Sequence, residues 1–134
     1  MNTSGENDLQ ALIRNMTPEL HEGDYVYCVV ENMDAINQQD IIAFFREKEA
    51  CTVIIEKAKA DELKLVYSYV AAWITLTIHS SLEATGFTAA FSKALADNGI
   101  GCNVIAAYYH DHIFVGKDDA KKAITVLKEL SQTI

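Results

Sequence analysis

Apolar positions along the chain fall into helical and alternating spacings that mark out its elements. Leu9, Leu12, Ile13 and Met16 recur at helical spacing and predict a short amphipathic helix over Asp8–Met16, stopped by Pro18. Residues 1–7 ahead of it read as a frayed arm. Tyr25–Glu31 is rich in aromatic and β-branched residues and predicts a strand. Asn32–Gln39 is polar and turn-like. Ile41–Arg46 fits a strand that returns through a Glu47–Ala50 loop into a strand over Cys51–Glu56; a helix over Asp40–Lys48 is the other reading. Lys57–Leu65 is a short helix on propensity.

Val70–Ile78 alternates, with Ile74, Leu76 and Ile78 facing one way and Trp73, Thr75 and Thr77 the other. A polar loop of small residues, His79–Gly86, leads into a helix over Phe87–Asn98. That helix carries Phe87, Ala90, Phe91, Ala94 and Leu95 on one stripe, and Gly99 is placed as its terminator. Cys102–Tyr108 reads as a strand, Tyr109–Asp111 as a tight turn and His112–Val115 as the returning strand. The last helix, Asp118–Ser131, turns Ala120, Ala123, Ile124, Leu127 and Leu130 inward, with Asp118 and Asp119 at its positive end. The second half is thus strand–helix–strand–strand–helix. That is the order of a ferredoxin-like α+β sandwich lacking one strand, with helices on one face of an antiparallel sheet. The first half, strand–hairpin–helix, reads as a shortened copy able to supply the missing strand; element order is the basis for this duplication.

Composition narrows the function classes. The chain has 134 residues, half of them hydrophobic and 22% charged, which is the balance of a folded globular protein. Its apolar runs are far short of a bilayer span, and no secretory signal is visible at Met1–Glu6. A net charge of −8 argues against a nucleic-acid partner. Lys117, Lys121, Lys122 and Lys128 are diluted by Asp118, Asp119 and Glu129 and read as a solvated helix face. Cys28, Cys51 and Cys102 have no CxxC spacing and sit in apolar, strand-like runs, so they read as reduced core residues of a cytoplasmic protein. The six tyrosines fall mostly on strands, where packing explains them without a base-stacking role.

The run His-Ser-Ser-Leu-Glu-Ala-Thr-Gly-Phe-Thr-Ala-Ala at residues 79–90, followed by Tyr-Tyr-His-Asp-His-Ile-Phe-Val at 108–115, resembles the ACT domain, a small ligand-binding regulatory module. The likeness is strong over Trp73–Val115 and fair over Leu20–Glu56, and it extends to short stand-alone bacterial proteins with two ACT-like repeats. It implies a βαββαβ sandwich in tandem: an arm and short helix at 1–17, an abbreviated first subdomain at 18–69 and a second domain at 70–134. It also implies a non-enzymatic regulatory protein without a cofactor, a homodimer binding a small molecule such as an amino acid at the loop and first helix turn. The implied ligand-binding residues are Ser80, Ser81, Leu82, Glu83, Thr85, Gly86, Phe87 and Thr88, with Asn103. Physical chemistry agrees with the placement, because a helix amino terminus offers unpaired N–H groups to a carboxylate. Glu83 would either accept from an α-amino group or close a Ser-x-x-Glu box with Ser80. The plainer reading of the loop is a capped connection.

Three histidines stand out. If Tyr109–Asp111 is the turn, His110 and His112 share one face of the returning strand, and His79 ends a neighbouring strand. With Asp111 they form an alternative site, that of a metal-binding protein or a metal-dependent enzyme; hydrogen-bonded histidines in a hairpin and a loop are the simpler account. His21 suggests no role. A third reading is a purely structural dimerisation domain, built on an open sheet edge.

Overall fold

The computed structural model describes residues 5–133. These divide into two compact units, one formed by residues 22–71 and the other by residues 5–21 together with 72–133.

The smaller unit is built on three strands, β2 (Tyr25–Val30), β3 (Ile41–Arg46) and β4 (Cys51–Glu56), after β1 further toward the amino terminus (Thr17–Leu20). β3 and β4 form the expected antiparallel hairpin, which removes the helical alternative for Asp40–Lys48. β4 pairs antiparallel with β2 along its whole length, and Val70 and Ala71, the first residues of β5 (Val70–Thr77), pair with β2 on its other side. Val26, Cys28, Val30, Val53 and Ile55 alternate onto one face and bury a cluster with Ala60 of helix α2 (Lys57–Glu62). α2 ends three residues earlier than propensity suggests, at a left-handed Lys64.

The larger unit follows β5 with helix α3 (Phe87–Ala96), strands β6 (Asn103–Ala106) and β7 (Asp111–Gly116), and helix α4 (Ala120–Gln132). The strand order is β1-β5-β7-β6. β1 therefore fills the fourth-strand place that the second half of the sequence lacks, and it pairs antiparallel with β5 from Thr17 opposite Thr77 to Leu20 opposite Ile74. Residues 17–21 consequently pack with residues 72–134, not with the 18–69 segment expected to hold most of them. Pro18 is tolerated because, among the described residues, β1 pairs on one side only. Helix α1 (Leu9–Asn15) buries Leu12 and Ile13 in the same core as Ile74, Leu76, Phe91, Leu95, Ile113, Val115 and Leu127. Each of these apolar side chains withdrawn from water contributes roughly 1.5–3 kcal/mol.

Two further expectations are corrected. The β6–β7 turn closes through the Ala107 N–H donating to the His110 carbonyl at 3.0 Å, so Asp111 belongs to β7 and not to the turn. The amino-terminal arm is not frayed throughout. Glu6 forms a parallel bridge with Ser80, its N–H donating to the His79 carbonyl at 2.8 Å and its carbonyl accepting from Ser81 N–H at 2.9 Å. All three cysteines are free, but only Cys28 is buried; Cys51 and Cys102 are half-buried, Cys102 lies just ahead of β6, and burial pushes its thiol up to about 11.

Candidate functional site

β5 delivers the chain into the loop 78–86, which ends at Gly86 and starts α3. Gly86 has a φ of 92°, the left-handed conformation that frees the helix entrance from the preceding strand direction. No side chain caps α3, so its first-turn N–H groups have no side-chain acceptor at the helix entrance. A cavity of about 70 Å³ lies there, lined by Ser80, Ser81, Leu82, Ala84, Phe87, Thr88, Ala106 and Asp111.

Five residues anticipated from sequence line this cavity: Ser80, Ser81, Leu82, Phe87 and Thr88. Glu83, Thr85, Gly86 and Asn103 do not. Glu83 and Thr85 are exposed, and Asn103 lies at the far end of the β6–β7 hairpin, where its Nδ2 donates to the Phe114 carbonyl at 3.4 Å. The Ser-x-x-Glu box does not form either: Glu83 N–H donates to Ser81 Oγ at 3.1 Å, while Ser80 Oγ donates to Asp111 Oδ2 at 3.4 Å.

Asp111 lies in β7 and lines the cavity, where the sequence reading places it in a turn. It shares strand parity with Ile113 and Val115 and so points toward the helices, only 6% exposed. Burial pushes its carboxyl pKa up, while the Ser80 hydrogen bond and nearby His110 act in the opposite direction. The signal that could have found it is a carboxylate at an inward position of an otherwise apolar strand. With Ser80 at 8% and Ser81 at 6% exposure, the cavity brings three buried polar side chains beside a helix amino terminus.

His110 and His112 lie with ring centroids 6.5 Å apart, but the three histidines and Asp111 do not form a metal-holding group. His79 lies against Tyr108 and Tyr109, its ring centroid 5.7 and 5.2 Å from theirs, whereas His112 lies against Trp73. Among the described residues no group of three or more His, Cys, Asp or Glu is arranged to hold a metal ion. His79 Nε2 and His110 Nδ1 are buried with no hydrogen-bond partner among the described residues.

His21 has a definite place. It stacks on Trp73 with ring centroids 3.6 Å apart and planes 11° from parallel. His21 Nε2 lies 2.7 Å from Thr75 Oγ1, which lies 2.9 Å from His112 Nδ1; Trp73 Nε1 donates to that same nitrogen at 3.2 Å. This polar network occupies the sheet face opposite the helices. Burial lowers the pKa of both His21 and His112.

Residues 4–72 and 68–129 each match the ACT domain. A protein of unknown function from Vibrio cholerae, described as a possible transport protein, has a crystal structure that superposes with a TM-score of 0.83 at 47% identity, covering 92% of this chain and 95% of that one. An Agrobacterium tumefaciens protein superposes at a TM-score of 0.71 and 16% identity, covering 87% and 89%. The regulatory subunit of aspartate kinase from Thermus thermophilus does so at 0.60 and 10%, covering 84% and 95%. No curated protein matches the chain. With a ferredoxin-like sandwich and two consecutive matches spanning nearly its whole length, the chain belongs to the ACT-domain family and carries two such domains in tandem.

Proposed function

We propose that this protein is a non-enzymatic regulatory module that binds a small α-amino acid in the cavity at Ser80–Thr88, acting as a cytoplasmic homodimer. One observation carries the reading: the cavity has the uncapped amino terminus of α3 on one side and the Asp111 carboxylate on another. The first suits a carboxylate, through N–H groups and the helix dipole. The second suits an ammonium group, whose arrival offsets the penalty of holding an ionised carboxylate in a buried place. Together they match the two charges of a zwitterion, and Ser80, Ser81 and Thr88 also line the cavity.

Size supports a second copy. Sites that enclose a small molecule usually measure roughly 300–1,000 Å³, and this cavity holds about 70 Å³. Ala106 lines it from β6, which ends the strand order of its unit. A second copy docked along that edge would enclose whatever projects from the cavity. The regulatory role of the Thermus neighbour and the ACT assignment support the sensing part of the reading. Three free thiols suit a reducing compartment.

A thermal-shift panel tests the proposal, using the common α-amino acids and purine metabolites at millimolar concentration. Binding to the native state alone stabilises it by about 2.7 kcal/mol at a hundredfold excess over Kd. At least one amino acid is expected to raise Tm, its N-acetyl derivative and its decarboxylated amine are not, and Asp111→Asn is expected to abolish the shift. Absence of any amino-acid shift, or an undiminished shift in Asp111→Asn, overturns it.

A further inference from the structure

We propose that the amino-terminal strap Gly5–Glu6 is a positioning element of the binding cavity: its main chain fixes the Ser80–Ser81 segment from which the cavity is built. The inference rests on the reading of that cavity as a ligand site, but the strap's effect on the loop is measurable without any ligand.

The loop has little else to hold it. After β5 ends at Thr77 it forms no regular structure until α3, and its internal bonds are short-range, such as Ala84 N–H to the Ser81 carbonyl at 3.0 Å. Against this, Glu6 N–H donates to the His79 carbonyl at 2.8 Å and Ser81 N–H donates to the Glu6 carbonyl at 2.9 Å. Two main-chain bonds thus bracket Ser80, the residue whose hydroxyl faces Asp111. They leave the Ser80 side chain free to point into the cavity, as a strand neighbour would.

Gly5 is fitted to this contact. Its φ is 86°, and a Cβ there would lie 2.8 Å from each of three main-chain atoms, His79 O, Ser80 C and Ser81 N. Main chain cannot swing aside as a flexible side chain can, so any larger residue displaces the strap or the loop.

The strap is itself anchored. Glu6 Oε2 accepts from the N–H groups of Asn7 at 3.1 Å and Asp8 at 2.9 Å, and Asp8 Oδ1 caps α1 by accepting from Gln10 N–H at 3.0 Å. α1 is rooted in the core by Leu12 and Ile13. Leu9 of the same helix lies against Gly86, where an added Cβ would stand 3.2 Å from its Cδ2. The amino-terminal segment therefore touches the loop at both ends, at Ser80–Ser81 through main chain and at Gly86 through an aliphatic side chain.

The test compares wild type with Gly5→Val, Glu6→Pro, which removes the N–H donor, and Glu6→Gln, which keeps the main chain and a side-chain acceptor. Amide hydrogen exchange is followed by NMR without ligand, with β7 amides as the internal control for folding. The first two variants are expected to speed exchange at Ser81 about tenfold or more, the scale of one lost hydrogen bond, while Glu6→Gln and the β7 amides stay unchanged. Unchanged protection at Ser81 in both variants overturns the proposal. Calorimetric titration with the common α-amino acids, L-alanine first, forms the second arm. If wild type binds and the two variants bind equally well, the strap is not part of the site and the proposal is overturned. If wild type fails to bind any amino acid, the reading of the ligand falls, and the strap's hold on the loop is judged by exchange alone.

Discussion

An indole N–H only donates, so the 3.2 Å contact from Trp73 Nε1 makes His112 Nδ1 an acceptor and leaves the proton of the neutral ring on Nε2. Thr75 must then donate its hydroxyl to the same nitrogen and accept from His21 Nε2–H, which fixes the direction of the whole network. Protonating His112 at Nδ1 would break two of these bonds, and burial together with His110 and His21 already lowers its pKa. The unfolded chain takes up this proton near pH 6.5, the folded chain only at lower pH. Acidification below about 6.5 therefore loads protons preferentially onto the unfolded state and lowers stability until the folded pKa is passed; above 6.5 the contribution is flat. Urea unfolding, followed by the fluorescence of the single tryptophan, should show a midpoint that falls from pH 7 to pH 5. In His112→Asn, which keeps an acceptor for Trp73, the fall should be shallower, with the His21 share remaining. A midpoint with the same slope in both proteins would contradict the network. His21 was unreadable in sequence because its role is a tertiary stack: nothing local to Leu20–Glu22 hints that Trp73 lies against it.

Elements were legible in proportion to their apolar content. α3, α4 and β4 each bury a stripe or face, so their spacing announces them; α4 places Ala123 and Leu127 inward as its period requires. β1, Thr-Pro-Glu-Leu, is mostly exposed and contains a proline, so no pattern reports it and its pairing with β5 alone creates it. The β6–β7 turn was placed late because Tyr108–His110 is polar and aromatic throughout, which shifted Asp111 out of the strand where its parity matters. Gly86 was legible, since a small residue between a polar loop and an apolar stripe marks a helix entrance. Its substitution separates two effects. Gly86→Ala carries the left-handed penalty, about 1–2 kcal/mol, plus displacement of Leu9 from a 3.2 Å approach. Leu9→Ala relieves the second and not the first. A double-mutant cycle in urea should show Gly86→Ala costing about 0.5 kcal/mol or more less in the Leu9→Ala background. Strict additivity would mean that α1 does not bear on the helix entrance.

At the scale of the molecule, the sequence has no means of showing that its larger unit is discontinuous. Among the described residues, 5–21 and 72–133 build one core, with the segment 22–71, which lies between them in sequence, folded as a separate unit. Element order identifies the ferredoxin-like sandwich, but assigning its fourth strand requires knowing which distant segment pairs with β5. The same discontinuity brings Gly5 and Glu6 to the loop of the second ACT domain. If the cavity is completed by a second copy along β6, ligand binding and dimerisation are thermodynamically linked, and each must strengthen the other by the same factor. Sedimentation of the wild type across micromolar concentrations should then show a monomer–dimer equilibrium that tightens with the amino acid identified by thermal shift. Ala106→Arg, placing a bulky cation at the edge where the cavity meets β6, should weaken both dimer and binding together. A dimer indifferent to the amino acid would assign the site to one copy alone. A wild type that binds the amino acid while remaining monomeric would do so more directly, leaving the roughly 70 Å³ cavity as the whole of the recognition surface.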